Sequence, residues 1–538
     1  MKWRYPFVFI AFIVLFTFVI GRLFYWQVVK AEMLTKLAKS QYNGFVKVLP
    51  KRGEIKTSDK YPIVSNKVFY SLFVNPQDLK DKNKTIQTLS TLLDVDTASI
   101  SSELLSDKLW VPVKSNLDYQ KKGEIEKMQI HGVGFEEHFG RFYPEASIAA
   151  HLLGFVGKNE SGDDRGYFGL EGYYDRLLKG KEGYAIELHD AMGRPILSKR
   201  SDKTQGTDGG NLILSIDRSV QFLVEQKLKD GIEKYGAVGG MVGIMDPHTG
   251  DIISMVSLPS FSPEKFWEYD ESLYKNPFIA NTYEPGSTLK PIVMAGALDA
   301  GIITPLTKCT ICGGPVTVSG YDLHTWNDKY YKDTNMIEVI QRSDNIGMVF
   351  VAQKLGVDRM ISYLTSFGLG SLTDIDLQGE IAPSLKSKNA WYDVDLATTG
   401  FGQGISVTPI ELLVAFSALA NEGRILKPRV VTAFEDVNKK ILEIPIKIKG
   451  TPISERTAKI MAEILVNAVE KGEAQWTKLK GYRIAGKTGT ASIPVLGHYD
   501  PNNTIVSFIG FAPVENSKFV MLVILEKPTT SIYAAETA

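Results

Sequence analysis

The sequence predicts a large α/β domain in the C-terminal part of the chain, an α+β region before it and one apolar helix at the N-terminus. Three observations support this. The chain has 538 residues, 44% of them hydrophobic, which is enough for a large core. Strand patterns lie at both ends of the C-terminal part with helical patterns between them. An uncharged run follows the first few residues.

The uncharged apolar run near the N-terminus is predicted to be a membrane anchor. Lys2 and Arg4 precede an uncharged stretch over residues 5–21, and aromatic residues extend the span to residue 26. Arg22 and bulky side chains follow where a cleaved signal peptide would have small residues, so an uncleaved anchor is favoured. The basic N-terminus predicts a cytoplasmic end, with the rest of the chain outside the cytoplasm.

Residues 27–205 are rich in charged residues and glycine and show no repeat or catalytic cluster, so a supporting α+β scaffold is expected. A polar, glycine-rich linker covers residues 198–210. Beyond it, "NLILSID" alternates as a strand, and a turn over residues 246–250 separates two apolar strands as a hairpin. "YRIAGKTGTASI", "TIVSFIGFAPV" and "KFVMLVILE" are three further strands. One α/β domain over residues 206–538, whose sheet joins both strand groups, is predicted.

Charge and cysteine usage exclude some function classes. Lys+Arg and Asp+Glu both total 61, which gives no reason to expect nucleic-acid binding. Cys309 and Cys312 form either a local disulfide or two ordinary loop thiols, and these alternatives stay open. Zinc needs four ligands and only His324 adds a candidate, so no metal is expected. No βαβ pattern surrounds the pair, which disfavours a redox enzyme.

The first candidate catalytic element is Ser287 followed by Lys290. Ser-x-x-Lys spacing recurs at residues 262–265 and 272–275, so the spacing alone is uninformative. Here a Pro-Gly turn precedes an apolar helix, which would put both side chains on one face beside unpaired backbone N–H groups. Pro291 disfavours helical geometry at the lysine and predicts a distorted first turn.

The second element is "RSDN", with Ser343 and Asn345 at the junction of two helical segments. Ser-x-Asn also occurs at residues 387–389, and the usual interpretation of this pattern is a cap in a loop. The motif therefore needs the other elements beside it to indicate chemistry.

The third element is "GKTGT", on a predicted strand. Lys-Thr-Gly occurs once in the chain. Gly489 removes a side chain from the strand, which would let an extended peptide pair along its edge. Alternation puts Thr488 and Thr490 on one face, with Lys487 reaching from the flank. This arrangement suits recognition of a substrate carboxylate.

Together, Ser-x-x-Lys, Ser-Asp-Asn and Lys-Thr-Gly are the motif set of penicillin-binding proteins and class A β-lactamases. The chain closely resembles the class B penicillin-binding proteins, which are membrane-anchored monofunctional peptidoglycan transpeptidases. The resemblance extends over "KRGEI", "RFYPEASIAAHLLGFVG", "GLEGYYDRLLKGKEG", "DPHTGDIISMVSLPSFSP", "EPGSTLKP", "FGQGISVTPIELL" and "GKTGTA". "EPGSTLKP" and "SDNIG" are more similar to the septal, division-type branch than to the elongation branch.

The resemblance implies a fold and an order of domains. The catalytic domain would be an α/β transpeptidase domain, an antiparallel sheet flanked by helices as in β-lactamases. The chain order would be a cytoplasmic tail (1–4), a transmembrane anchor (5–26), a pedestal or dimerisation-type domain (27–205) and the transpeptidase domain (206–538).

The resemblance also implies roles for the motif residues. Ser287 would be the acylated nucleophile and Lys290 its base. Ser343 would relay the proton and Asn345 would hold the substrate amide. The remaining roles fall on the third motif: Lys487 and Thr488 would bind the terminal carboxylate, and the backbone N–H groups of Ser287 and Thr490 would form the oxyanion hole. A lysine base needs an accessible neutral form, and burial, the helix N-terminus and the second cation at Lys487 all favour it.

The implied substrates are D-Ala-D-Ala stem peptides, with β-lactams as covalent inhibitors and no cofactor. The implied location is the plasma membrane, and the implied partners are a polytopic glycosyltransferase and division proteins. No glycosyltransferase signature is present in the pedestal. Two departures from the family pattern occur: residues 57–63 read "TSDKYPI" in place of Asp-Arg-Asn-Gly, and the family's C-terminal helix does not follow "EKPTTSIYAAETA", which suggests truncation.

Two other functions compete. A β-lactamase would need an additional glutamate for deacylation, and Glu463 with Asn467 superficially supplies one, although both fit an amphipathic helix better. A β-lactam sensor or a non-catalytic division scaffold would keep the motifs without turnover.

Overall fold

The computed structural model describes residues 3–104, 111–144, 149–188, 201–204, 206–495 and 498–529. The α-helices are α1 (Arg4–Phe24), α2 (Ala31–Tyr42), α3 (Lys82–Leu93), α4 (Thr97–Leu104), α5 (Tyr119–Glu126), α6 (Ala150–Leu153), α7 (Gly169–Tyr173), α8 (Asp175–Leu178), α9 (Arg218–Tyr235), α10 (Pro277–Ala280), α11 (Lys290–Asp299), α12 (Met336–Gln341), α13 (Asn345–Leu355), α14 (Val357–Ser366), α15 (Asp393–Thr399), α16 (Pro409–Ala420) and α17 (Glu455–Lys471).

The strands are β1 (Asn43–Val48), β2 (Ile55–Lys56), β3 (Pro62–Val74), β4 (Val111–Leu117), β5 (Val133–Phe142), β6 (Phe155–Lys158), β7 (Asp164–Tyr167), β8 (Gly183–Leu188), β9 (Ser201–Thr204), β10 (Asn211–Leu214), β11 (Gly239–Met245), β12 (Ile252–Leu258), β13 (Val316–Val318), β14 (Tyr321–Leu323), β15 (Ile425–Leu426), β16 (Val431–Glu435), β17 (Ile441–Glu443), β18 (Ile448–Gly450), β19 (Ala485–Val495), β20 (His498–Ala512) and β21 (Phe519–Glu526).

The chain divides into two compact units, one of residues 1–51 and 179–209 and the other of residues 52–178 and 210–538. In the first unit, α1 runs into a π-helical turn, and together they form an apolar helix over Arg4–Val29. Among the described residues this is the one helix with the length and composition to cross a membrane. Strands β1, β8 and β9 form an antiparallel sheet in the same unit.

The N-terminal part of the second unit is α+β, as predicted. Its sheet has the order β17-β16-β10-β2-β3-β4, with β5 also paired to β3. Helix α3 begins where Asp81 caps the N–H of Lys84. The buried side of α3 packs Ile86 and Leu89 against Leu72 of β3. The strand predicted from "NLILSID" is β10, which pairs with β2 and β16 of this sheet.

The second sheet carries the candidate site and has five antiparallel strands in the order β12-β11-β21-β20-β19. β21 comes from the C-terminal part of the chain and pairs with β11. One face, including Met241 and Leu522, packs toward α11, α13 and α16, whereas the other, including Val242 and Val523, packs against Leu228 of α9. The predicted hairpin, the three C-terminal strands and the sheet that joins both strand groups are confirmed.

Two further features complete the helical region beside the sheet. Helix α16 begins with a capping box between Thr408 and Glu411 and is buried along most of its length. Cys309 and Cys312 are joined by a disulfide with an S–S distance of 2.00 Å, which decides between the two alternatives for that pair. Within the described ranges, no group of His, Cys, Asp and Glu side chains is arranged to hold a metal ion.

Candidate active site

The turn that carries Ser287 is separate from the helix that carries Lys290. Ser287 lies in a 3-10 turn, Gly286–Thr288, and α11 begins at Lys290. Pro291 lies within the first turn of α11, where its missing N–H costs no intrahelical bond. The distortion predicted from this proline therefore takes the form of a change from 3-10 to α-helix between the two motif residues.

Glycine is required at the position before Ser287. Gly286 has φ of +54°, a left-handed conformation that favours glycine. A Cβ there would lie 2.8 Å from the carbonyl oxygen of Thr490 on β19. The N–H of Gly286 also donates to the carbonyl oxygen of Gly402, 2.9 Å away. These close approaches hold the serine turn against the edge strand of the five-stranded sheet.

Lys290 is fully buried and its amine contacts the Ser-Asp-Asn segment. Lys290 Nζ donates to the carbonyl oxygen of Ser343 at 2.6 Å and to Asn345 Oδ1 at 2.8 Å, and it lies 3.2 Å from Ser343 Oγ. Ser343 Oγ in turn donates to Ser287 Oγ at 3.0 Å. In the part of the chain that the structure describes, no hydrogen bond joins Lys290 to Ser287 directly. A path for a proton between them therefore passes through Ser343.

The Ser-Asp-Asn segment owes its geometry to a strained residue and a helix cap. Ser343 has φ of +54°, which is unfavourable for a residue other than glycine. Asp344 Oδ1 then caps α13 by accepting from the N–H groups of Ile346 at 2.9 Å and Gly347 at 3.1 Å. Asn345 Nδ2 donates to the carbonyl oxygen of His324 at 3.0 Å. The segment thus directs Ser343 and Asn345 toward Lys290.

The third motif lies on β19, the edge strand. Thr488 and Thr490 both line the cleft beside Ser287, as strand alternation predicts. Lys487 is buried, and its Nζ donates to the Thr488 carbonyl oxygen at 3.0 Å and Oγ1 at 3.3 Å. A Cβ on Gly489 would lie 2.6 Å from Ser507 Oγ, so packing inside the fold already requires glycine there.

The three motifs meet around a cleft of about 670 Å³. Its walls include predicted residues from all three motifs. They also include residues to which the sequence gave no catalytic or substrate-binding role: His324, Trp326, Phe401, Gln403, Glu473 and Trp476. Phe401 and Gln403 belong to the quoted "FGQG" stretch, which is the one sequence signal that pointed near them. His324 was considered only as a loose metal candidate.

Comparison with known proteins agrees with this arrangement. Residues 240–538 match the penicillin binding protein transpeptidase domain, and residues 47–214 match the penicillin-binding protein dimerisation domain. The stage V sporulation protein D of Bacillus subtilis is 34% identical over 98% of this chain and 82% of its own length. The chain belongs to the penicillin-binding protein transpeptidase family. The predicted resemblance to the class B members, and the prediction of a transpeptidase enzyme, are confirmed.

Other relatives of the transpeptidase cover most of both chains. The peptidoglycan D,D-transpeptidase FtsI of Escherichia coli is 26% identical over 99% of this chain and 89% of its own. Penicillin binding protein 2X from Streptococcus thermophilus has the same fold, with a TM-score of 0.76 at 22% identity over 92% of this chain and 79% of that one. A peptidoglycan synthetase from Bifidobacterium adolescentis gives a TM-score of 0.72 at 24% identity, covering 92% of this chain and 94% of that chain. The predicted fold class is confirmed.

The electrostatics of the transpeptidase cleft centre on two buried lysines. Burial lowers the pKa of Lys290 to about 7, and the charge of Lys487 lowers it too, while Glu473 and Asp344 act in the opposite direction. Burial also lowers the pKa of Lys487 to about 8, against the effect of Glu473. A neutral Lys290 amine is therefore accessible near neutral pH, which is the condition for a lysine base.

Glu463 and Asn467, the pair considered for a β-lactamase, lie on α17 and do not line this cleft. The Glu463 side chain is 63% exposed and forms an ion pair with Arg483 at 2.7 Å. Surface pairing on an amphipathic helix accounts for this glutamate, so the geometry gives no deacylating carboxylate at that position.

Proposed function

We propose that this transpeptidase is a membrane-anchored serine D,D-transpeptidase that cross-links peptidoglycan stem peptides through an acyl-enzyme at Ser287. The observation that carries the proposal is the hydrogen-bonded path from the buried amine of Lys290 through Ser343 Oγ to Ser287 Oγ. The similarity to relatives such as the peptidoglycan D,D-transpeptidase FtsI of Escherichia coli supports peptidoglycan as the substrate.

Acylation begins when Ser287 Oγ attacks the carbonyl carbon between the two terminal D-Ala residues of a donor stem peptide. The serine proton passes through Ser343 to the neutral amine of Lys290. The backbone N–H groups of Ser287 and Thr490 stabilise the developing oxyanion. Lys487 and Thr488 hold the terminal carboxylate and Asn345 holds the substrate amide.

The C–N bond then breaks, and the departing D-Ala takes the proton back from Lys290 through Ser343. An acceptor amine from a neighbouring strand attacks the ester, gives its proton to Lys290 and forms the cross-link. The ester C–O bond breaks and Ser287 Oγ regains a proton, so the enzyme returns to its starting state. β-Lactams acylate the same serine. The path uses no cofactor and no metal.

The setting of this chemistry is part of the same proposal. The apolar helix supports anchoring in the plasma membrane with the catalytic domain outside the cytoplasm. The family matches at residues 47–214 and 240–538 support a pedestal over residues 27–205 and a transpeptidase domain over residues 206–538. A septal role, beside a polytopic glycosyltransferase and division proteins, is proposed from the similarity of "EPGSTLKP" and "SDNIG" to the division-type branch of the family.

Mass spectrometry of the full-length protein after treatment with a fluorescent penicillin tests the proposal. We expect a single adduct that maps to Ser287 and persists for many minutes, and a Ser287→Ala variant that folds but acquires none. An adduct on another residue would contradict the assignment of the nucleophile. Rapid release of hydrolysed drug would favour a β-lactamase.

The septal role has its own test. Expression in a bacterium depleted of its own septal transpeptidase should restore division, and the Ser287→Ala variant should fail to do so. Full rescue by the variant would instead favour a non-catalytic scaffold.

A further inference from the structure

β5 forms one edge of the sheet that also contains β3 and β10. It pairs with β3 over its whole length, Val133–Phe142, and no other strand pairs with it among the described residues. By contrast, the edge strand β12 of the five-stranded sheet is covered at Met255. There the side-chain amide of Gln221 donates to the carbonyl oxygen of Met255 and accepts from its N–H, both at 3.0 Å. An edge of ten residues is long enough to receive another strand.

The backbone of β5 presents alternate residues to this edge. The N–H of Asn75 donates to the carbonyl oxygen of Gly132 at 2.7 Å, which fixes the positions of the hydrogen-bonded pairs between β3 and β5. Because these pairs alternate along an antiparallel ladder, the N–H and C=O groups of Phe135 and Glu137 lie on the side away from β3. No backbone hydrogen bond from another described element reaches them. These two residues therefore offer both donors and acceptors to an added strand.

Aromatic rings border the edge on both faces of the sheet. On one face, the rings of Phe73 and Phe69 of β3 occupy the space where a Cβ on Gly134 or Gly140 of β5 would lie. Glycine at these two positions thus lets the rings extend across β5 toward the edge. On the other face, the Phe139 ring is 39% exposed. The side chains of an added strand would therefore contact apolar surface on both faces.

A cavity of about 340 Å³ adjoins the start of β5. Its walls include Ile125 of α5, Ile130 after that helix, and Val133 and Phe135 of β5. Side chains that lie opposite each other on neighbouring strands are about 5 Å apart. A strand added beside Phe135 would therefore place one of its side chains in this cavity, which fixes the register of the added strand.

The charge of the edge selects among the strands that could bind there. Glu136 and Glu137 are exposed, lie on opposite faces of β5 and form no ion pair in the described part of the chain. A second copy of this chain paired through the centre of β5 would bring glutamates close together, which is unfavourable. An anionic lipid surface would be repelled for the same reason. Basic residues in an added strand would instead pair with both glutamates.

We propose that the edge of β5 binds an extended, basic segment of a partner protein, which adds to the sheet as one more strand. Its backbone pairs with Phe135 and Glu137, and one of its side chains enters the cavity beside α5. Two adjacent lysine or arginine residues at its centre contact Glu136 and Glu137. No residue of β5 lines the catalytic cleft, so this inference goes beyond the proposed cross-linking reaction and does not depend on it.

A short synthetic peptide of alternating threonine and valine, with adjacent lysine and arginine at its centre, is the probe. Fluorescence anisotropy with full-length protein in detergent should show saturable binding, and hydrogen–deuterium exchange should show protection of residues 133–142. A peptide with a pair of glutamates at its centre should bind at least about tenfold more weakly, because opposed like charges destabilise a strand pair. Absence of binding, or protection confined to other segments, would overturn the proposal.

N-methylated peptides separate backbone pairing from simple charge attraction. In an added strand, every second N–H group faces β5 and the others face solvent. Two isomeric peptides, each methylated at one of the two alternating sets of N–H groups, carry the same charge. One isomer should lose binding and the other should retain it. Equal effects of methylation in the two isomers would contradict strand addition.

The double variant Glu136→Gln, Glu137→Gln should bind the peptide about fivefold more weakly, with Tm and the rate of penicillin acylation unchanged, since exposed charge pairs contribute modestly. Glu264→Gln, Glu271→Gln removes the same charge from exposed positions elsewhere and is the matched control. Equal weakening in the two double variants would show that net charge alone attracts the peptide and would overturn the site. Self-association of the parent protein that the peptide blocks would assign the edge to a second copy and overturn the choice of partner.

Discussion

Two clusters of buried charge lie in the same compact unit of this transpeptidase, and they differ in pairing. In one, Glu171 is fully buried between Arg52 and Arg141, with contacts of 2.6 Å to each, and Asp175 accepts from Arg52 at 2.8 Å. In the other, Lys290 and Lys487 are buried and neither forms an ion pair among the described residues.

Burial has opposite consequences for the charged groups of the two clusters. A carboxylate placed between two guanidinium groups forms ion pairs with both, and the cluster links distant parts of the chain. A lysine buried beside another cation loses charge readily, because burial and like-charge repulsion both favour its neutral form. The paired cluster is therefore expected to affect stability, and the unpaired cluster to affect chemistry.

Replacement of Lys290 should have the largest effect. Lys290→Met removes the proposed base and should slow acylation by a fluorescent penicillin about a thousandfold or more. The folded protein should not lose stability. The pKa of about 7 in the folded state lies below the ordinary lysine value, so the unfolded chain binds more protons at intermediate pH and the lysine costs stability most at low pH.

The increase in Tm on Lys290→Met should accordingly be larger at pH 6 than at pH 9. Ser287→Ala is the control, since it abolishes acylation without removing a buried charge. A lower Tm for Lys290→Met, or an acylation rate within tenfold of the parent, would contradict the expectation that the two buried lysines affect catalysis and not stability.

Replacement of Glu171 should have the next largest effect, on stability. Glu171→Gln removes the carboxylate that the two buried guanidinium groups share, leaving Arg141 without an ion pair among the described residues and Arg52 with Asp175 alone. It should lower the free energy of unfolding by about 3 to 5 kcal/mol, measured by chemical denaturation. Glu124→Gln disrupts an exposed ion pair with Lys121 and is the matched control, with a much smaller change. Equal effects of the two variants would show that the buried ion pairs contribute no more to the free energy of unfolding than an exposed one.

A smaller effect is expected on the pH profile. The rate of penicillin acylation should rise with pH through about 7, as Lys290 loses its proton. Lys487→Gln removes the neighbouring positive charge, which should shift the midpoint to higher pH by roughly half a unit to one unit. Rates are compared at saturating penicillin, because Lys487 is also proposed to bind the carboxylate. A midpoint that stays in place or falls would remove Lys487 as a cause of the low lysine pKa.

The smallest effect should come from Glu463. Its exposed pair with Arg483 contributes little, so Glu463→Gln should leave the lifetime of the penicilloyl adduct and the Tm unchanged. The adduct lifetime is followed by mass spectrometry. A longer adduct lifetime in the variant would indicate that Glu463 takes part in deacylation and would support the β-lactamase hypothesis.

Local patterns were sufficient to predict much of the fold. The strands of the five-stranded sheet follow from alternation and from the hairpin turn, and the apolar N-terminal helix follows from its uncharged run. The pairing of β10 with β2 and β16 was not predictable, because it joins segments far apart in the chain and depends on packing between them.

In the site, residue types and spacing pointed to Ser287, Lys290 and Lys487. Ser287 lines the cleft, whereas the two lysines are buried beside it. Spacing suggested that the lysine contacts the serine directly, whereas the structure has Ser343 between them. Ser343 has a left-handed backbone conformation, which no local propensity predicts. No sequence pattern pointed to Glu473 either, because its place beside the cleft depends on how the segment after α17 packs in the folded chain.

The order of strands in the five-stranded sheet has a consequence for how the enzyme is made. β11 emerges early, but its partner β21 follows more than 270 residues later, as the register of Met245 with Val520 makes plain. Until β21 has been synthesised, β11 and β20 each expose an unpaired edge, which is a hazard for aggregation and proteolysis. A chain interrupted before β21 would keep both of these edges exposed, so the last strand of the sheet also protects strands that were made long before it.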